Sequence, residues 1–207
     1  METLIQQLIS EGYLKTSSII EAFKYVDRKD FLPEEMKKHA YLNQALPIGY
    51  RQTISQPLVV AFMLELLEPK QGEKILEIGT GSGWQTALLS KLVGKEGSVT
   101  TIERIEELMR QAEKNLSTYQ NENIKIIKGD GAKGYKERAP YDKIIAAATC
   151  VRVSSAWKSE LKIGGYVVAP VGESIIQIEK KSAKEFKKKE YAGFRFVPLI
   201  TDEKPRK

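Results

Sequence analysis

The chain has 207 residues, 42% hydrophobic and 29% charged, which fits one globular domain with a full core and excludes a disordered or fibrous class. Its single cysteine, Cys150, excludes an internal disulfide and fits a reducing, cytoplasmic setting; with one histidine, His39, a protein-built metal site is not expected either. The net charge of +6 raises the question of nucleic acid.

The distribution of that charge answers against it. Basic residues gather in one late run (Lys180, Lys181, Lys184, Lys187, Lys188, Lys189) and at the tail (Lys204, Arg206, Lys207). No aromatic pattern for base stacking accompanies them, so they read as solvated surface. The longest apolar stretch, Leu58 to Leu67, is interrupted by Glu65 and too short to span a bilayer. The N-terminus lacks the basic head and apolar run of a secretory signal, and no membrane partner is expected.

In chain order, Leu4, Ile5, Leu8 and Ile9 form the apolar stripe of a first helix. Ser18-x-x-Glu21 reads as a capping box ahead of Ala22, Phe23 and Val26, with the helix ending by Asp30-Phe-Leu-Pro33. Residues 40–56, with Pro47 and Gly49, read as an irregular loop. Pro57 opens a helix through Leu67. Strand and helix signals then alternate: strand 74–78, helix 83–93, strand 98–103, helix 105–117, strand 124–128, strand 143–148, helix 154–161, strands 166–170 and 175–179. A last strand is expected at 194–199, after a lysine-rich turn. Alternation predicts a mainly parallel sheet with helices on both faces, and the closely spaced final strands place one antiparallel strand near an edge. The expected organisation is one domain, with residues 1–56 as a helical extension and site loop and 57–207 as the sheet core.

The strongest signal is residues 74–83, Lys-Ile-Leu-Glu-Ile-Gly-Thr-Gly-Ser-Gly. A buried strand runs into Gly79, Gly81 and Gly83 and then a helix, which is how an open α/β sheet binds a nucleotide-like ligand. The dinucleotide pattern requires a glycine where this chain has Trp84. Instead Glu77 precedes the glycines by two residues, and a carboxylate there suits a cationic ligand group better than a pyrophosphate. A second strand ends in Glu103, 24 residues after Gly79, near the spacing at which an acid meets ribose hydroxyls. A third ends in Gly129-Asp130-Gly131. These signals together resemble the Rossmann-like methyltransferases that use S-adenosylmethionine.

Upstream lies Thr53-Ile54-Ser55-Gln56-Pro57. By local pattern alone Ser55 is an N-cap for the helix that Pro57 opens. In the wider chain that segment is followed in order by the glycine loop, Thr101-Ile-Glu-Arg-Ile105, Gly129-Asp-Gly131, Pro140-Tyr-Asp142, Pro170-Val-Gly172 and Phe196-Val-Pro-Leu199. The series, from about residue 5 to residue 200, closely resembles the protein-L-isoaspartate (D-aspartate) O-methyltransferase family. The resemblance implies a Rossmann-like methyltransferase fold with a seven-stranded sheet. It also implies S-adenosylmethionine as cofactor and isoaspartyl proteins or peptides as substrate, methylated on the free α-carboxylate.

By the same resemblance, Ser55 lies in the active site and orients the substrate carboxylate, while Ile54, Gln56 and Pro57 close over the reacting centre. Glu77, Gly79, Thr80, Gly81 and Gly83 line the methionine end. Glu103, with Arg104 beside it, binds the ribose, and Asp130, with Gly131 beside it, the adenine amino group. As a strand-end acid, Glu103 is expected to be dispensable for the fold. The chain departs from the family pattern at Thr149-Cys150-Val151-Arg152, at Trp84 and at Ile200-Thr201. Cys150 has no histidine near it in sequence and reads as an unreactive thiol.

Free carboxylates ionise near pH 3.5, so the acceptor needs no general base, and one His and one Cys offer few. Two rival readings keep the cofactor: an RNA methyltransferase, motivated by the charge, and a binding protein that has lost transfer. Ala146-Ala-Ala-Thr149 stands where an Asn-Pro-Pro-Tyr-type amine clamp would serve the first. Intact Ser55, Glu77, Glu103 and Asp130 oppose the second. An NAD-dependent oxidoreductase is disfavoured by the glycine spacing.

Overall fold

The computed structural model describes residues 1–119 and 122–202; Lys204, Arg206 and Lys207 lie outside the described residues. The chain opens with α1 (Glu2–Ser10) and α2 (Ser17–Tyr25), two 3-10 turns (Arg28–Phe31 and Glu34–His39), a hairpin of β1 (Leu46–Gly49) and β2 (Gln52–Ile54), and α3 (Pro57–Leu67). Then follow β3 (Lys74–Ile78), α4 (Trp84–Val93), β4 (Ser98–Glu103), α5 (Glu106–Leu116), β5 (Ile124–Lys128), β6 (Tyr141–Ala146), α6 (Ser155–Glu160), β7 (Leu161–Val171), β8 (Ser174–Lys180) and β9 (Phe186–Ala192). No helix among the described residues is long and apolar enough to cross a membrane.

The sheet has seven strands in the order β5-β4-β3-β6-β7-β8-β9. The first five are mutually parallel, and β8 runs antiparallel to both neighbours, one strand in from the edge. Strand order reverses between β3 and β6, and α/β sheets bind ligands at the carboxyl ends of the strands where that happens. The strands are apolar on both faces because both are covered. Ile75, Val99, Ile145 and Val168 share one hydrophobic cluster with residues of α1 to α5, while Leu76, Ile144, Ala146 and Val167 pack with Trp157 of α6.

Three local expectations are corrected. The capping box at Ser18 is not used: α2 starts at Ser17 with Thr16 as N-cap. A carboxylate from α3 reaches across instead, Glu65 accepting from the Lys15 and Thr16 amides at 2.7 and 2.8 Å and from the Thr16 hydroxyl at 2.7 Å. The stretch read as irregular holds the β1–β2 hairpin, whose four- and three-residue strands are too short to show alternation.

The last strand lies at Phe186–Ala192 rather than 194–199, so Lys187, Lys188 and Lys189 form an edge strand, not a turn. Both faces of an edge strand can be wet, and lysines there discourage further strand addition. Residues 194–199 do other work. They cross the carboxyl ends of β6 and β7, with the Thr149 amide donating to the Val197 carbonyl at 2.9 Å and the Leu199 amide to the Thr149 carbonyl at 2.8 Å.

Candidate active site

Where the strand order reverses, the chain leaves a cleft with about 830 Å³ of empty space, part of it open to solvent. Its floor is the turn between β3 and α4. Gly79, Thr80 and Gly81 line the cleft, and Gly81 has φ +55°, a conformation that glycine adopts without strain. The turn is tied to the next strand. The Gly81 amide donates to one Glu103 oxygen at 2.9 Å, and the Arg104 and Ile105 amides donate to the other at 2.9 Å each. Glu103 is 7% exposed and lines the cleft. A carboxylate has about four acceptor positions, so three amides leave one open.

Two residues assigned to this end do not reach the cleft wall. Strand alternation places Glu77 on the same face as Ile75, toward α4, where it is wholly buried. Gln85 donates to one of its oxygens at 3.0 Å and the Thr86 hydroxyl to the other. Burial pushes its carboxyl up to about 7 against the opposing pull of its hydroxyl and amide donors, with the Glu103 charge adding a little to the rise. Glu77 therefore braces the turn from below. Gly83 serves packing: a Cβ there would stand 3.1 Å from Leu116, so the glycine lets α4 and α5 close together.

The opposite wall is the hairpin and the segment after it. Gln52, Thr53, Ile54 and Ser55 line the cleft. The N-cap of α3 is Gln56, not Ser55, and Pro57 follows as its first residue. That removes the local explanation for Ser55, whose hydroxyl has no hydrogen-bond partner among the described residues. Gln56 and Pro57 do not line the cleft. The Gln56 side chain donates backward to the Asn43 carbonyl at 3.0 Å, and Pro57 is buried where it starts α3.

A third side comes from the ends of β5 and β6 and from the C-terminal segment. Gly131, Ala147, Ala148 and residues 197–200 line it. Gly131 is held from below, its carbonyl accepting from the Trp157 indole at 2.8 Å. Asp130 is committed to backbone, accepting from the Ala132 amide at 2.9 Å and the Asp202 amide at 2.8 Å, and it does not line the cleft. Arg104 lines the cleft while its guanidinium pairs with the Asp202 carboxylate, which also meets Lys133 at 2.7 Å. The C-terminal segment is thus pinned across the strand ends at both Asp130 and Arg104.

Residues that sequence reasoning passed over include Gln52 and Thr53, in the hairpin read as loop, and Trp84, expected only under the loop. Trp84 lines the cleft, is 2% exposed and meets Phe23 edge-on at 5.6 Å.

The chemistry on offer is positioning. Among the described residues no group of three His, Cys, Asp or Glu is placed to hold a metal ion. Cys150 donates to the Pro170 carbonyl at 3.3 Å, and burial pushes its thiol up to about 11, so it is protonated at neutral pH and a poor nucleophile. The residues present fit S-adenosylmethionine. A carboxylate with an open acceptor position stands where ribose hydroxyls need one, a close-approach turn lies beside it, and Ile102 and Leu108 supply apolar wall for a flat base.

A family model for protein-L-isoaspartate(D-aspartate) O-methyltransferase matches residues 1–204. The chain is 45% identical over 204 residues to the protein-L-isoaspartate O-methyltransferase of Ignicoccus hospitalis, covering 97% of each. It is 42% identical over 207 residues to that of Methanopyrus kandleri, covering 98% of this chain and 92% of that one. A solved protein-L-isoaspartate O-methyltransferase superposes with a TM-score of 0.89 at 27% identity, over 97% of this chain and 66% of the other. The glycine turn, its Glu103 tie and the Ser55 wall thus sit in a chain that belongs to the protein-L-isoaspartate (D-aspartate) O-methyltransferase family.

Proposed function

We propose that the chain, acting as one methyltransferase domain, methylates the free α-carboxylate of L-isoaspartyl residues in damaged proteins and peptides, with Ser55 aligning that carboxylate. The observation that carries the reading is the Ser55 hydroxyl. It lies on the cleft wall with no hydrogen-bond partner among the described residues and no capping duty, beside a cofactor pocket anchored by Glu103.

S-adenosylmethionine supplies a methyl group on a sulfonium, activated for in-line displacement. The chain's residues hold the partners. Glu103 accepts from the ribose hydroxyls, with Gly79, Thr80 and Gly81 giving close backbone approach at the methionine end. The adenine lies against Gly131, whose turn Asp130 holds from behind the cleft wall through the Ala132 and Asp202 amides. The substrate carboxylate is already ionised at neutral pH, so no residue has to remove a proton. Ser55 donates to one of its oxygens and leaves the other free to attack. The hairpin, through Thr53 and Ile54, excludes water that would compete. The methyl ester is then open to attack by the next backbone nitrogen, which expels methanol and closes a succinimide. Hydrolysis of that ring returns some normal aspartate.

Nucleic acid is not an acceptor in this account. Lys187, Lys188 and Lys189 lie on the edge strand β9, three strands beyond β6 in the sheet, and after β6 the cleft is lined by Ala147 and Ala148 instead of an amine clamp. A cytoplasmic location suits a chain with one half-buried free thiol and a protein substrate.

Ser55→Ala tests the alignment role. Turnover on an isoaspartyl peptide should fall about ten- to hundredfold, as expected from roughly 1.5–3 kcal/mol for a hydrogen bond to a charged group. Affinity for S-adenosylhomocysteine should stay within about threefold, and activity should not vanish, because proximity remains. Ser55→Thr keeps a hydroxyl but crowds the line of transfer, so it should also be slowed. Full turnover in the Ala variant would end the assignment.

A further inference from the structure

Arg28 sits in the first 3-10 turn, in the N-terminal extension, and is 0% exposed. No carboxylate among the described residues pairs with it within 4 Å, which is an uncommon state for a buried cation and a costly one. Its two terminal nitrogens donate to backbone carbonyls on two separate segments, while Nε is buried without a partner among the described residues. One terminal nitrogen donates to Ala40 at 2.7 Å and Leu42 at 3.4 Å, the other to Gln44 at 2.8 Å and Ser55 at 3.1 Å. The guanidinium carbon lies 5.3 Å from the centre of the Trp84 ring, at the start of α4 directly after the glycine turn.

One side chain therefore touches both walls of the cleft, the peptide of Ser55 and the ring of Trp84. The segment between is fastened a second time: Asn43 accepts from the Leu58 amide at 3.0 Å with its side chain, and from Gln56 with its carbonyl at 3.0 Å. An apolar residue would fill the same space without burying a charge. It would also release four carbonyls and the spacing between the acceptor wall and the cofactor turn. Burial lowers the guanidinium to about 10, and it stays charged at neutral pH.

We propose that Arg28 is a positioning residue for methyl transfer, setting the Ser55 hydroxyl at a fixed distance from the cofactor turn. The proposal rests on the Ser55 role above. It explains why a planar fork is used here, since an ammonium is a point donor that cannot span carbonyls on two segments.

The test is a double-mutant cycle of Arg28→Lys with Ser55→Ala, read as kcat/KM on an isoaspartyl peptide per folded molecule, with S-adenosylhomocysteine affinity measured alongside. Arg28→Lys alone should lower kcat/KM about tenfold or more while cofactor affinity moves less than about threefold. In the Ser55→Ala background the same change should cost little, because the hydroxyl it positions is gone. Equal losses in both backgrounds, or a lowered melting temperature with unchanged kcat/KM, would make Arg28 a structural residue only and overturn the proposal. If the Lys variant does not fold, Arg28→Gln, neutral but with an amide donor pair, enters the same cycle. A fully active Ser55→Ala would overturn the Ser55 role itself, a result separable from additivity in the cycle.

Discussion

Glu103→Ala is expected to weaken S-adenosylhomocysteine binding by about 3 kcal/mol, roughly a hundredfold or more in Kd. Two losses combine. The ribose hydroxyls lose a charged acceptor, and the Gly81, Arg104 and Ile105 amides lose theirs, so the glycine turn is no longer tied to β4. The sequence suggested that this strand-end acid could be removed without harm to the fold. Its three amide partners argue otherwise, and a stability loss of about 1–3 kcal/mol should accompany the lost affinity. Glu103→Gln separates the contributions, because the amide still accepts from some of these groups but carries no charge. Its melting temperature should sit nearer the parent than that of the Ala variant, while its affinity stays reduced. Calorimetry that found parental affinity in a folded Ala variant would remove Glu103 from the cofactor site.

The second large effect is on stability and belongs to Glu77. Burial lifts its carboxyl to about 7 from an ordinary 4.5. Because the folded value is raised, the stabilisation it gives is fully present below about pH 4.5 and is lost as pH rises through about 7. A shift of that size corresponds to roughly 3 kcal/mol. Glu77→Gln has no such titration and can still engage Gln85 and Thr86. Melting curves for parent and variant should therefore diverge between pH 5 and pH 8, with the variant gaining on the parent by roughly that amount. Other titrating groups cancel in the difference. Curves that run parallel over the same range would mean the Glu77 carboxyl titrates as an ordinary exposed one.

How much of this was legible in the sequence follows from where each signal comes from. The sheet was readable because its strands are covered on both faces and so appear as short apolar runs: 74–78, 98–103 and 124–128 coincide with β3, β4 and β5. The edge was not, because Lys187, Lys188 and Lys189 carry no apolar alternation when both faces of β9 are wet. Glu103 was found by spacing, whereas its amide partners are set by the path of the turn. Glu77 was read toward the ligand because it precedes the glycines. An acid inside a run as apolar as Ile75-Leu76-Glu77-Ile78 was the available clue that it must find buried donors. Arg28 left no signal at all. It stands in the charged stretch Asp27-Arg-Lys-Asp30, which reads as surface, and only the chain's return at residues 40–44 and 55 encloses it. The site residues taken from family resemblance divide along the same line. Ser55, Ile54, the glycine turn, Glu103 and Gly131 meet on the cleft, while Gln56, Pro57, Glu77, Gly83 and Asp130 hold its walls.

The central claim is that the acceptor is a carboxylate present in isoaspartyl chains and absent as such from normal ones. The direct measurement is transfer of a labelled methyl group from S-adenosylmethionine to a peptide containing L-isoaspartate, beside the same peptide with ordinary aspartate and a transfer RNA. Label should enter the isoaspartyl peptide alone, as an ester lost on mild base treatment. Equal labelling of the aspartyl twin, or stoichiometric labelling of the RNA at moderate salt, would contradict it.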